Sequence, residues 1–110
     1  MTDLNDAVAR AMGWELVEIK EYRRPPKQCW ADSSRPRFAR ALWNPATDCR
    51  ASWIVEGWLL DTVGALTLVK LGGVYSVIWD DADMTHHEVH NENRLVAICE
   101  AAVEVGKDER

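Results

Sequence analysis

The stretch NPATDCRASWIVEGWLL, residues 44–60, decides the fold because it predicts a helix that is apolar on two sides. Pro45, Thr47 and Asp48 are typical of a helix start, at which Thr47 or Asp48 accepts hydrogen bonds from the first unpaired N–H groups. At 100° per residue, the predicted core stripe consists of Ala51, Ile54, Val55 and Trp58. Almost opposite lie Cys49, Trp53 and Leu60. One face is expected to pack on a sheet, and the other needs a separate cover.

The residues before this helix predict one helix and two strands. Asp3 can cap a helix that carries apolar side chains to Met12 and ends at Gly13. Strand-forming residues dominate 14–22, and a second strand is expected over 37–43. Between them, RRPPKQCWADSSRPR (residues 23–37) contains three of the four prolines and breaks all periodicity, so it is expected at the surface.

The residues after the helix predict a hairpin, a loop and a last helix. Two strand-like runs flank Gly72 and Gly73, which suit a two-residue turn. DDADMTHHEVHNEN (residues 80–93) reads as a polar loop. The last helix is expected from Glu92 to Val105, ended by Gly106, with its buried face formed by Leu95, Ile98, Cys99, Ala102 and Val103.

These elements predict an α+β fold with the order α-β-β-α-β-β-α, in which helices pack on both faces of a small antiparallel sheet. Residues 1–110 are expected to form one domain, since this length can bury roughly two thirds of the unfolded surface. The predicted core cluster consists of Ile54, Trp58, Leu68, Leu95 and Ile98.

Composition and charge limit the classes of function. No apolar run approaches about 18 residues, and the first residues lack a secretion signal, so neither a membrane nor an export role is expected. Three cysteines without a C-x-x-C pair predict reduced thiols in the cytoplasm. The net charge of −5 divides into +5 for residues 20–40 and −10 for the remainder, which is unlike a plain nucleic-acid binder.

Three stretches in the same order resemble the phage ABA sandwich domain family of small bacteriophage proteins. They are AVARAMGW (residues 7–14), residues 44–60, and RLVAICEAAVEVG (residues 94–106). The resemblance implies an α/β/α sandwich and a phage or prophage origin, and it implies no catalytic residues. The basic segment 23–40 is longer than its counterpart in the family, and MTHHEVH (residues 84–90) replaces a glycine-rich loop. A function particular to this chain is expected in one of these two places.

The basic segment is the first candidate binding site. Its positive charges are Arg23, Arg24, Lys27, Arg35, Arg37 and Arg40, and the aromatic residues among them are Tyr22, Trp30 and Phe38. Such a mixture can dock on an acidic protein surface, can hold phosphates and stack bases, or can be a solvated loop. Trp53 is a further candidate, because it either packs between helices or anchors a partner.

The histidine segment is the second candidate. If residues 85–90 were extended, His86, Glu88 and His90 would project to one side, which resembles a metal site with two histidines and one carboxylate. A solvated loop has the same composition, so no metal and no cofactor are expected.

The function favoured by these patterns is a non-enzymatic phage accessory protein in the host cytoplasm. It would bind and inhibit a host protein with an acidic surface, in counter-defence, as anti-CRISPR proteins do. The alternative is a sponge that sequesters a cyclic or ADP-ribose-type nucleotide through the basic segment. A metal-dependent enzyme at His86–His90 is the least favoured reading, and a homo-oligomer is compatible with the first two.

Overall fold

The computed structural model describes residues 3–20, 23–33 and 35–108. The elements are α1 (Leu4–Ala11), β1 (Glu15–Ile19), β2 (Lys27–Asp32), β3 (Arg35–Ala39), a 3-10 helix (Arg40–Leu42), α2 (Cys49–Val63), β4 (Thr67–Leu71), β5 (Val74–Asp80), β6 (His86–Asn91) and α3 (Arg94–Asp108). The predicted α+β class and the alternation of helices with antiparallel strands are confirmed. Three strands precede α2 and three follow it. They form two separate sheets, with the strand orders β1-β2-β3 and β4-β5-β6.

The first helix begins and ends where the sequence predicts. The Asp3 side chain accepts a hydrogen bond from the Asn5 N–H at 2.8 Å. Gly13 has a φ of +82°, the left-handed conformation that glycine adopts most readily. The N–H groups of Gly13 and Trp14 then donate to the carbonyls of Arg10 and Ala9, both at 3.0 Å, which closes the last turn.

The other predicted boundaries are confirmed in part. Asp48, rather than Thr47, caps α2 by accepting from the Arg50 N–H at 3.0 Å. Gly72 and Gly73 form the hairpin turn between β4 and β5, with φ values of +58° and +81°.

Two segments predicted to be irregular are strands. The prolines of the basic segment precede β2 or lie in the edge strand β3, so they leave the ladder of the central strand β2 intact. Cys29, Trp30 and Ala31 of β2 are buried, and the prediction of a wholly surface segment was therefore wrong. The predicted polar loop contains β6, in which half-buried and exposed side chains alternate.

The strands predicted in the first half are shorter than expected or displaced. The first covers Glu15–Ile19, and its predicted last residues, Glu21 and Tyr22, lie outside the described residues. The second, expected over 37–43, is β3, which ends at Ala39 before the 3-10 helix.

The core face of α2 is rotated from the predicted stripe. Its buried side chains are Ala51, Ser52, Val55 and Leu59. Ile54 and Leu68 are each 38% exposed, so the predicted cluster containing them was wrong, whereas Trp58 packs half-buried against the core. The error arose because α2 carries apolar side chains on most of its circumference, so periodicity does not single out one face.

Helix α3 lies at the centre of the molecule and packs against α1, α2 and sheet β4-β5-β6. Asn93 caps it by accepting from the Leu95 N–H at 3.0 Å. The prediction that Gly106 ends α3 was wrong, because the helix continues to Asp108. A Cβ on Gly106 would lie 2.5 Å from the Ala11 Cβ and 2.8 Å from the Ala11 Cα. This glycine therefore allows α1 to approach α3 closely.

The molecule is elongated, with dimensions of 52 × 30 × 24 Å. Its radius of gyration is 15.1 Å, whereas a compact domain of this length has about 13 Å. None of the helices in the described ranges is long and apolar enough to cross a membrane.

Gly106→Ala should destabilise the protein by about 1–3 kcal/mol, because the added methyl meets the Cβ and backbone of Ala11, which cannot move without shifting α1. The free energy of unfolding in urea measures the effect. Lys107→Ala is the control at the neighbouring exposed position and should change the free energy by less than about 0.5 kcal/mol. Equal stability of the Gly106→Ala and Lys107→Ala proteins would show that the close approach is not tight.

Candidate functional site

The structure divides the basic segment between the two ends of sheet β1-β2-β3. Lys27 begins β2, and Asp32 ends it and pairs with Arg35 of β3. A strand of six residues spans roughly 17 Å, so Arg23, Arg24 and Lys27 lie far from Arg35 and Arg37. The single basic surface expected from the sequence does not form.

The first end carries four exposed basic side chains, which we call the basic tip: Lys20, Arg23, Arg24 and Lys27. Lys20, Arg23 and Arg24 lie in the connection from β1 to β2, and Lys27 is the first residue of β2. Two prolines, Pro25 and Pro26, follow Arg24 and have a fixed φ, and Arg23 has a φ of +63°. The two prolines therefore restrict the backbone between Arg24 and Lys27.

Arg40, also predicted to contact a partner, is instead bound within the protein. Its guanidinium donates to both carboxylate oxygens of Asp6, at 2.7 and 3.4 Å, and to the Gln28 side chain at 2.9 Å. Asp6 is almost buried, with a side chain that is 12% exposed, and its hydrogen bond raises the pKa of Arg40. This pair ties the residues after β3 to the first turn of α1.

A groove of about 860 Å³ lies between the basic tip and this ion pair. Its charged lining is Asp3, Asp6, Glu18, Lys27 and Arg40. Carboxylates therefore accompany the positive charges here, and a polyphosphate entering the groove would meet both.

Trp30 is a core residue, and its assignment as a partner contact was wrong. Its side chain is fully buried, and the Arg10 guanidinium lies 5.7 Å from the centre of its ring. Phe38 is half-buried and packs edge-on against Trp43, with ring centres 5.1 Å apart. Neither aromatic ring is therefore free to stack on a base.

Trp53 belongs to a second surface, at the other end of β2. It is 68% exposed, which excludes the alternative that it packs between helices of the same chain. The side of α2 that carries it, which we call the α2 face, consists of Arg50, Trp53, Ile54, Gly57, Leu60 and Asp61, all exposed. Exposed tryptophan surrounded by other apolar side chains is typical of binding surfaces.

A groove of about 510 Å³ borders the α2 face. Its aromatic lining is Trp14, Phe38, Trp53 and Trp58. Arg37 lines it as well and lies 3.4 Å from Asp32, so the structure brings together two of the predicted binding residues, Arg37 and Trp53. A glycine in the middle of a predicted helix, Gly57, is the sequence signal that could have indicated this surface.

The histidine segment forms strand β6, and its side chains contact residues of the neighbouring strand β5. In β6, His86 and His90 project to the exposed side, and residues four apart in a strand are roughly 13 Å apart, too far to share one metal ion. His90 Nδ1 instead lies 2.7 Å from Ser76 Oγ. His87 points the other way and stacks on Trp79, with ring centres 5.4 Å apart.

Asp81 organises the turn between β5 and β6. Its carboxylate accepts from the N–H groups of Asp83 and Thr85, both at 2.9 Å, and lies 2.9 Å from His87 Nε2. Hydrogen bonds from His87 and Thr85 hold the pKa of Asp81 below its ordinary value. With these three partners, the Asp81 carboxylate stabilises the turn.

Other reactive groups are few in the described ranges. No group of three or more His, Cys, Asp or Glu residues there could hold a metal ion. Cys29 and Cys99 are buried and Cys49 is exposed. Burial raises the pKa of Cys99 to about 12, so its thiol stays protonated at neutral pH.

No family model, curated protein or solved structure matches this chain. The resemblance to phage ABA sandwich proteins therefore stays a prediction from three stretches of sequence. The candidate sites are therefore identified from the positions, exposure and charges of the described residues.

Trp30→Ala and Trp53→Ala should differ strongly in their effect on stability. Removing the buried Trp30 ring leaves a cavity and should lower the free energy of unfolding by about 3–5 kcal/mol. Removing the exposed Trp53 ring should change it by less than about 0.5 kcal/mol. Denaturant unfolding of both variants, at a protein concentration low enough to keep the chain monomeric, measures the difference. Similar losses would mean that Trp53 is covered within the monomer.

Asp81→Ala should destabilise the protein in a pH-dependent way. The hydrogen bonds lower the pKa of Asp81 in the folded state below 3.8, so its contribution is present above pH 3.8 and is lost as the pH falls through the folded pKa. The stability difference between the wild type and Asp81→Ala should therefore shrink in acid. Asp83→Ala removes an equal charge from the same turn and should show a smaller difference at neutral pH. A pH-independent difference for Asp81→Ala would contradict the assignment.

Proposed function

We propose that this protein is a non-enzymatic binding protein that docks its basic tip on an acidic surface of a host protein and thereby inhibits it. The observation that carries the proposal is the concentration of exposed positive charge at one connection. Residues 20–27 have a net charge of +3 in a chain whose net charge is −5. A local reversal of sign orients the encounter with an acidic partner and accelerates association.

The form of the basic tip supports docking on a protein. Because Pro25 and Pro26 restrict the backbone, less conformational entropy is lost when the tip is held against a partner. The neighbouring groove adds the carboxylates of Asp3 and Glu18. A protein surface can supply acidic groups for the tip and hydrogen-bond donors for these carboxylates at once.

The nucleotide alternative has less support. Trp30 is buried and Phe38 is half-buried, so these two of the three aromatic rings expected to stack on a base are engaged in the fold. Arg40, expected to hold a phosphate, donates to Asp6 and Gln28. Asp3 and Glu18, in the same groove, would also repel a polyphosphate.

The enzymatic alternative has the least support. The histidine segment, its proposed centre, forms strand β6, and His87 is engaged with Trp79 and Asp81. The resemblance to phage ABA sandwich proteins supports a bacterial host protein as the target, with counter-defence in the host cytoplasm as the setting.

Charge reversal at the basic tip should slow binding without unfolding the protein. The triple variant Arg23→Glu, Arg24→Glu, Lys27→Glu should associate on the order of tenfold more slowly with the captured host protein and lose most of its salt dependence. Capture uses the wild type as bait in host lysate, and surface plasmon resonance measures the rates.

The matched control is Arg35→Glu, Lys70→Glu, Lys107→Glu, which changes the net charge equally but leaves the basic tip intact. It should retain the wild-type association rate to within about twofold. Equal slowing of both triple variants would show an effect of net charge alone and contradict docking through the tip. A rise in the wild-type melting temperature with one member of a nucleotide panel would favour the sponge instead.

A further inference from the structure

The centre of the α2 face is a glycine that the fold does not require. At 100° per residue, Gly57 lies in the middle of the exposed arc, with Ile54 and Asp61 on one side and Trp53 and Leu60 on the other. A Cβ at Gly57 would meet nothing within 4 Å. Glycine is the weakest helix former after proline, so its position here calls for an explanation outside the monomer. The notch it leaves between large apolar side chains suits the close approach of another molecule.

We infer that the occupant is a second copy of this chain, bound through antiparallel packing of the two α2 helices about a twofold axis. Such an interface uses the same patch on both copies, so every feature must find its complement within that patch. The α2 face meets this condition in shape and in charge.

The shape condition follows from helix geometry. With a rise of about 1.5 Å per residue, a twofold axis passing between Val55 and Glu56 places Ile54 at the height of Gly57 of the second copy. The Ile54 side chain then fills the notch of the partner copy, and symmetry repeats the contact. Trp53 falls within about 3 Å in height of Leu60 of the second copy, on the other side of the same seam.

The charge condition is met by the same alignment. Arg50 and Asp61 lie about 16 Å apart along α2, and the axis between Val55 and Glu56 lies midway between them. Arg50 of each copy therefore faces Asp61 of the other. Both side chains are exposed and form no ion pair within the described ranges, so they are available for these two pairs. Parallel packing would place Arg50 against Arg50, so charge selects the antiparallel arrangement.

The surroundings of the α2 face can extend the contact. A stable dimer buries about 800 Å² per partner, more than one helix face supplies. The aromatic groove beside α2, with the half-buried Phe38 and Trp58 in its lining, offers adjoining apolar surface. The basic tip lies at the opposite end of β2, so dimerisation leaves it exposed and gives two docking tips in one particle. The inference does not depend on what the tips bind.

Sedimentation equilibrium of the purified chain tests the inference. The wild type should be a monomer–dimer equilibrium, and Arg50→Asp or Asp61→Arg alone should raise the dimer Kd by about tenfold or more, because each places like charges together twice. The Lys70→Asp protein, altered away from the α2 face, should dimerise as the wild type does. An equimolar mixture of Arg50→Asp and Asp61→Arg should restore dimers, since both cross-copy pairs are then of opposite charge.

Gly57→Leu separates a fitted notch from a generally adhesive surface. It adds apolar area, which would strengthen non-specific association, but it fills the notch that Ile54 needs, so the dimer Kd should rise. Circular dichroism and thermal melting confirm that each variant is folded. A monomeric wild type, tighter association of Gly57→Leu, or a charge-reversed mixture that stays monomeric would each overturn the inference.

Discussion

The close packing of α1 against α3 is the constraint on which the rest of the structure depends. It exists because Gly106 has no side chain where the helices meet, leaving room for Ala11. Small buried residues elsewhere on α3, such as Ala97 and Ala101, likewise allow close contact around this central helix. Once α1 is seated, Asn5 accepts from Trp43 Nε1 at 2.9 Å and from the Ala46 N–H at 3.1 Å, which positions the chain just before α2. The orientation of α2, and hence which of its faces is exposed, follows from these contacts.

The same arrangement determines which basic residues remain for binding. Asp6 in α1 is almost buried and needs a partner, because a buried carboxylate without one is costly. The Arg40 guanidinium donates to Asp6 and is thereby engaged within the protein. Trp30 of β2 is buried in the core, with the Arg10 guanidinium of α1 5.7 Å from its ring centre. The four side chains of the basic tip take no part in the Asp6–Arg40 pair and are exposed, and their charge is the physical basis for docking.

Two surfaces with different physical character therefore lie at opposite ends of β2. The basic tip is polar and would act mainly on the rate of encounter with an oppositely charged partner. The α2 face is apolar with one charge of each sign, and would act through burial and fit. Gly57 and Gly106 illustrate how much context matters. Both lie inside helices, but one is required by a neighbour within the monomer and the other faces open space.

Local signals in the sequence determined the helix ends at Asp3, Gly13 and Asp48 and the hairpin at Gly72-Gly73, because capping and positive φ depend on a few adjacent residues. They also established the α+β class. Tertiary structure decided the rest of the core and the candidate sites. Periodicity could not show which side of α2 is buried, since both of its sides are apolar. β6 was predicted to be a loop because its residues are polar, although its side chains alternate between exposed and half-buried as in other strands. Tertiary packing decided that Trp30 is buried, that Arg40 pairs with Asp6 and that Trp53 is exposed. That choice is made by packing between segments far apart in the chain, which no local pattern encodes.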